Sequence, residues 1–142
     1  MFIGKIDCFY FIDYIDFFEF FELIDNDKLF SLILYGPPGI GKTTIAEAIG
    51  EIFGLRTYKF NASTDKKAQL NEIVKVSKSY GALLIVDEIH RMNKDIQDFL
   101  LPHVEKGDLL MVGLTTNNPY HSVNPAVRSR THVLKLKPIS NE

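Results

Sequence analysis

Cysteine is almost absent from this chain: Cys8 is the single one in 142 residues. One thiol excludes an internal disulfide and fits a reducing compartment. We therefore expect an intracellular protein. A dominant charge is lacking too. Sixteen lysines and arginines stand against eighteen acids, and a net charge of -2 gives no overall sign of a nucleic-acid binder. The balance is uneven, because residues 1–30 hold seven acids against Lys5 and Lys28 and leave the remainder net positive. Nor is there an uninterrupted apolar run long enough for a membrane. The aromatic stretch 9–24 is broken every third residue by Asp13, Asp16, Glu19 and Glu22, with no basic region before it beyond Lys5. Acids at that spacing drift round a helix. We expect residues 11–25 to form a helix within an aromatic, acidic segment 1–30 that packs on the core. Repeats and low-complexity linkers are also missing, and the length suits one domain with a sizeable core.

What the chain does have is Gly36-Pro37-Pro38-Gly39-Ile40-Gly41-Lys42-Thr43, followed by Thr44. The apolar run Leu32–Tyr35 before it reads as a buried strand. After it, Ile45, Ile49, Ile52 and Phe53 recur on one face of a helix. A loop that binds phosphate needs this order of parts. Glycines let the backbone curl so that successive N–H groups point at the anion, and the helix N-terminus adds its positive end. Lys42 would then reach the β- and γ-phosphates of a nucleoside triphosphate, with the Thr43 hydroxyl on Mg²⁺.

A second apolar run, Ala82–Val86, ends abruptly in Asp87 and Glu88. Such a strand suits the middle of a parallel sheet covered on both faces, and ligands bind beyond the carboxyl ends of such strands. Asp87 could hold Mg²⁺ directly or through water, and Glu88 could polarise water for in-line attack on the γ-phosphate. Strands are also expected at Thr57–Phe60, Leu109–Leu114 and His132–Leu136. One helix carries Leu70, Ile73, Val74 and Ser77. Another is capped by Asn93, carries Ile96, Phe99, Leu100 and Val104, and is kinked or tightened by Pro102. This alternation predicts an α/β fold, a doubly wound five-stranded parallel sheet of the P-loop NTPase kind.

The segments Leu32–Ile49, Ile85–Gly107 and Val112–Arg130 resemble the ATPase core of the AAA+ superfamily. Within it they resemble the MgsA/RarA family, which includes the Werner-helicase-interacting protein. The resemblance covers about residues 30–138. It implies an oligomeric, DNA-dependent ATPase that uses ATP and Mg²⁺, assembles with itself, and works with replication and repair proteins at replication forks. A clamp-loader subunit, a Holliday-junction branch-migration motor and a non-hydrolysing interaction module are the alternatives. By this resemblance Gly36 to Thr44 bind ATP, Lys42 and Glu88 are catalytic, and Thr43 and Asp87 hold the metal. The γ-phosphate sensor is Thr116, at the strand end, or Asn118, by an ungapped count back from Ser129-Arg130. Arg130 would be the arginine that enters a neighbour's site, with Arg128 as a nearby substitute. Ile3 and Gly4 are the candidates for adenine contacts. Residues 139–142 fall where a small helical lid should begin, so the lid and its second sensor are expected outside this sequence.

Overall fold

The computed structural model describes residues 31–136. The helix expected at 11–25, the adenine candidates Ile3 and Gly4, and the lid start at 139–142 lie outside the described residues.

Five strands form one all-parallel sheet: β1 (Leu32–Tyr35), β2 (Arg56–Asn61), β3 (Ala82–Asp87), β4 (Leu110–Thr115) and β5 (His132–Lys135), in the order β2-β3-β4-β1-β5. Three longer helices connect them: α1 (Lys42–Ile52), α2 (Lys67–Tyr80) and α3 (Lys94–Lys106). Between β4 and β5 come two single turns, α4 (Pro119–Ser122) and α5 (Pro125–Arg128), which the sequence pattern does not announce.

The alternation along each strand explains why both faces are covered. Leu32, Leu34, Leu83, Ile85, Val112 and Leu114 meet Ile45, Ala46 and Ile49 of α1 on one face. Ile33, Leu84, Val86 and Met111 meet Leu70 and Val74 of α2 and Ile96 and Leu100 of α3 on the other. These side chains are almost fully buried, and each contributes about 1.5–3 kcal/mol of transfer free energy. The expected helix faces hold: Ser77 is buried and donates its hydroxyl to the Val74 carbonyl. Asn93 caps α3 by accepting from the Ile96 N–H at 2.9 Å. Pro102 does not end α3, which runs on to Gly107 in the left-handed conformation at φ 83°.

The strand order decides what meets at the carboxyl edge. β4 is inserted between β1, which carries the phosphate loop, and β3, which carries the acids. In register, Tyr35 pairs with Thr115 and Val86 with Gly113, so Glu88 leaves β3 at the level of Thr115.

Candidate functional site

The loop after β1 has the backbone its glycines allow. Gly39 and Gly41 take φ values of 77° and 98°, which an L side chain would strain, and Gly41 is the left-handed residue from which α1 starts. Pro37, Pro38 and Gly39 are exposed, Ile40 is buried as an anchor, and Thr43 and Thr44 are exposed on the first turn of α1. Lys42 turns back, donating from Nζ to the carbonyls of Gly36 at 2.8 Å and Pro37 at 2.9 Å. Partial burial lowers its pKa from the ordinary lysine value, while the charges of Asp87 and Glu88 pull it back up. An ammonium in that position is held by neutral carbonyls that a phosphate can displace.

Thr43 and Asp87 line one small cavity of about 130 Å³, together with Asn61, Asp65 and the apolar floor of Phe60, Ile85 and Leu114. The Thr43 hydroxyl and the Asp87 carboxylate are hard oxygen donors, and Asp65 is a second carboxylate on the cavity wall. A set this sparse suits Mg²⁺, which keeps several waters and takes phosphate oxygens for the rest. The residues present therefore fit the ion that the motif implies. Asn61 and Asp65 are additions that motif reading missed. The only sign of them is the polar end of an otherwise mixed strand, and the Asn61 backbone N–H donates to Asp65 Oδ2 at 2.7 Å.

Glu88 is the only described non-glycine residue with positive φ, at φ 57° and ψ 43°. That conformation costs on the order of 1 kcal/mol and turns the chain sharply out of β3. Its N–H donates to Asp87 Oδ1 at 2.9 Å, and a short 3₁₀ turn, Ile89–Arg91, follows. The turn folds His90 back under the glutamate. His90 Nε2 is 3.2 Å from Glu88 Oε2, and its Nδ1 is 2.9 Å from Thr115 Oγ1. Thr115 is buried, its hydroxyl accepts from the Asn117 N–H at 3.0 Å, and its carbonyl accepts from the Gly36 N–H at 3.3 Å. The sequence singled out neither His90 nor Thr115. The histidine two places after the acid pair was the available signal.

The two sensor candidates are placed differently. Thr116 is exposed directly beyond β4. Asn118 is exposed too, but its side-chain oxygen accepts from the Tyr120 N–H at 2.9 Å and so caps α4. Arg130 does not join the site. It precedes β5, at the amino edge of the sheet, where it donates from Nε to Glu105 and from Nη1 to the Ala126 carbonyl at 2.7 Å. Arg128 is engaged locally, donating to the Val123 carbonyl at 3.1 Å and lying over the Tyr120 ring.

The profile of the ATPase family associated with various cellular activities (AAA) matches residues 32–138. Replication-associated recombination protein A of Bacillus subtilis is 48% identical over 115 residues, covering 80% of this chain and 27% of that protein. ATPase WRNIP1 of Dictyostelium discoideum is 37% identical over 120 residues, covering 81% of this chain and 14% of that protein. The chain thus spans about a quarter of the length of the first of these relatives. Among solved structures, the RuvB Holliday junction branch migration motor of Thermotoga maritima superposes with a TM-score of 0.66 at 26% identity, covering 81% of this chain and 40% of that one. No described helix is long and apolar enough to cross a membrane.

Proposed function

Because this chain belongs to the AAA family of ATPases, we propose that it is the ATP-binding and hydrolysing core of an oligomeric, DNA-dependent ATPase in replication-fork maintenance, recombination and repair. The observation that carries the reading is the meeting of Lys42, Thr43, Asp87 and Glu88 at one sheet edge, from elements more than forty residues apart. The loop N–H groups and the N-terminus of α1 would cradle the phosphates. Lys42 would leave the Gly36 and Pro37 carbonyls for the β- and γ-phosphates. Thr43 and Asp87 would hold Mg²⁺, which neutralises phosphate charge when bound. Glu88 would polarise the attacking water, with Thr116 as the favoured γ-phosphate sensor, since the side chain of Asn118 is already used as a helix cap. Arg130 would act in a neighbour's site. The DNA-directed role is supported by the names of the relatives, replication-associated recombination proteins among them. Self-assembly, replication and repair partners and an intracellular location belong to the same proposal. A branch-migration type of motor is the second reading, supported by the RuvB likeness.

The test is ATP turnover by an assembly-competent form of the protein, with and without DNA. Hydrolysis should depend on Mg²⁺ and rise with DNA. Glu88→Gln should keep ATP affinity while lowering turnover by roughly a hundredfold or more, the usual contribution of a positioned general base. Wild-type turnover in that variant would leave Glu88 as a strand-end acid and favour an ATP-dependent interaction module.

A further inference from the structure

We propose that His90 is a positioning residue for Glu88, joined through Thr115 to the phosphate loop, and that it sets ATP turnover without setting ATP affinity. The inference rests on the hydrolytic reading of this site and adds two residues to it.

One tautomer of His90 lets every contact in the chain be satisfied. The carboxylate of Glu88 can only accept, so a neutral His90 complements it across the 3.2 Å contact when its proton is on Nε2. A ring protonated at Nδ1 alone would instead face the carboxylate with a lone pair. With the proton on Nε2, Nδ1 is free to accept, and the Thr115 hydroxyl donates to it at 2.9 Å. That hydroxyl can donate because its own other bond is one it accepts, from the Asn117 N–H. In that tautomer every polar atom in the series has one role, running from Asn117 through Thr115 and His90 to Glu88.

Burial gives the series its stiffness. The His90 side chain is 11% exposed, against 44% for the Glu88 side chain. Thr115 is 3% exposed, and Ile89 between the two partners is 1% exposed. An open carboxylate at the end of a left-handed residue has no other described side chain holding its oxygens, so its orientation follows the imidazole. The imidazole follows Thr115, whose carbonyl also receives the Gly36 N–H. The phosphate loop, the turn bearing Thr116, and the water-polarising carboxylate therefore share one buried threonine. None of these contacts uses the side chains of Lys42, Thr43 or Asp87. Loss of His90 should spread the carboxylate over several orientations, and misplacement of a reacting group by about 1 Å can cost on the order of a hundredfold in rate.

The experiment measures kcat and ATP affinity separately, in an assembly-competent form with DNA present. His90→Phe keeps the ring volume and removes both nitrogens, and should lower kcat about tenfold to a hundredfold while ATP affinity changes less than about twofold. His90→Gln can place an amide N–H near the former Nε2 and should recover a substantial part of the loss. Thr115→Val should lower kcat in the same sense, and the double variant with His90→Phe should be little worse than His90→Phe alone. A His90→Phe protein with wild-type kcat, or a faster one, would overturn the inference. So would a parallel loss of affinity and kcat, or a Gln variant no better than Phe. If His90→Phe does not fold, His90→Gln and Thr115→Val decide it by the same split. A wild-type protein that binds ATP with Mg²⁺ but never turns it over would overturn the functional reading and this inference together.

Discussion

Lys42 donates to the carbonyls of Gly36 and Pro37, 2.8 and 2.9 Å away. Burial lowers its pKa and the charges of Asp87 and Glu88 work against that shift, while the two neutral carbonyls compete weakly with a polyphosphate. The proposed ammonium–phosphate contact is charge-assisted, and such contacts contribute about 1.5–3 kcal/mol. Lys42→Ala should therefore weaken ATP binding about tenfold or more, read by calorimetric titration in the presence of Mg²⁺. Unchanged affinity would mean that the loop amides and the helix end do the binding alone. The remaining acids divide by direction. Asp87 faces the cavity it shares with Thr43, whereas the left-handed turn at Glu88 carries the next carboxylate to His90. Adjacent residues thus reach different partners.

At the scale of elements, β4 governs the site while lending it almost no motif. It separates β1 from β3, and its Gly113 is the point where the 3₁₀ turn of Ile89–Arg91 packs onto the sheet. A Cβ at Gly113 would lie 2.2 Å from Ile89 Cδ1 and 3.2 Å from Ile89 Cβ. Overpacking of this kind costs about 1–3 kcal/mol and must be relieved by moving Ile89, which stands between Glu88 and His90. Gly113→Ala should lower thermal stability and reduce turnover more than ATP affinity. Adding Ile89→Val, which removes Cδ1, should restore part of both. Failure of the double variant to recover either would show that the turn is not seated by this contact. The contrast with the motif residues is physical. Gly36 to Thr43, Asp87 and Glu88 were legible because their chemistry is local, with loop, helix start and strand end contiguous in sequence. The five strands and three longer helices were legible from apolar runs and helical spacing. The strand order was not, since apolar runs do not say which neighbour they pair with. Without that order, the contact of His90 with Thr115, 25 residues apart in sequence, has no signature.

At the scale of the molecule, five parallel strands give the sheet two chemically different edges. The phosphate loop, Asp87, Glu88 and Thr116 leave the carboxyl ends. Arg130 belongs to the other edge, beside a cavity of about 350 Å³ that it lines with Ser31, Ala82, Glu105 and Leu109. β5 pairs with β1 from His132 opposite Leu32. At least the length of a four-residue strand, roughly 13 Å, therefore separates the backbone of Arg130 from the loop. Its guanidinium moreover points to Glu105 and the Ala126 carbonyl. An arginine so placed does not reach its own phosphate loop, and we propose that it serves another subunit's site once Glu105 releases it. Arg128, tied to the Val123 carbonyl, is the poorer candidate. Arginine fingers supply about 10³–10⁵ in rate in related phosphate-loop enzymes, so an unassembled chain should bind ATP and turn it over poorly. Arg130→Ala should leave ATP affinity within about twofold in the monomer while collapsing turnover in the assembly, a loss confined to the transition state. Subunit mixing gives the decisive comparison. Arg130→Ala subunits keep an intact loop and Lys42→Ala subunits keep an intact arginine, so their mixture should recover activity that neither has alone. Loss of ATP binding by monomeric Arg130→Ala, or no recovery on mixing, would place the arginine in the service of its own chain.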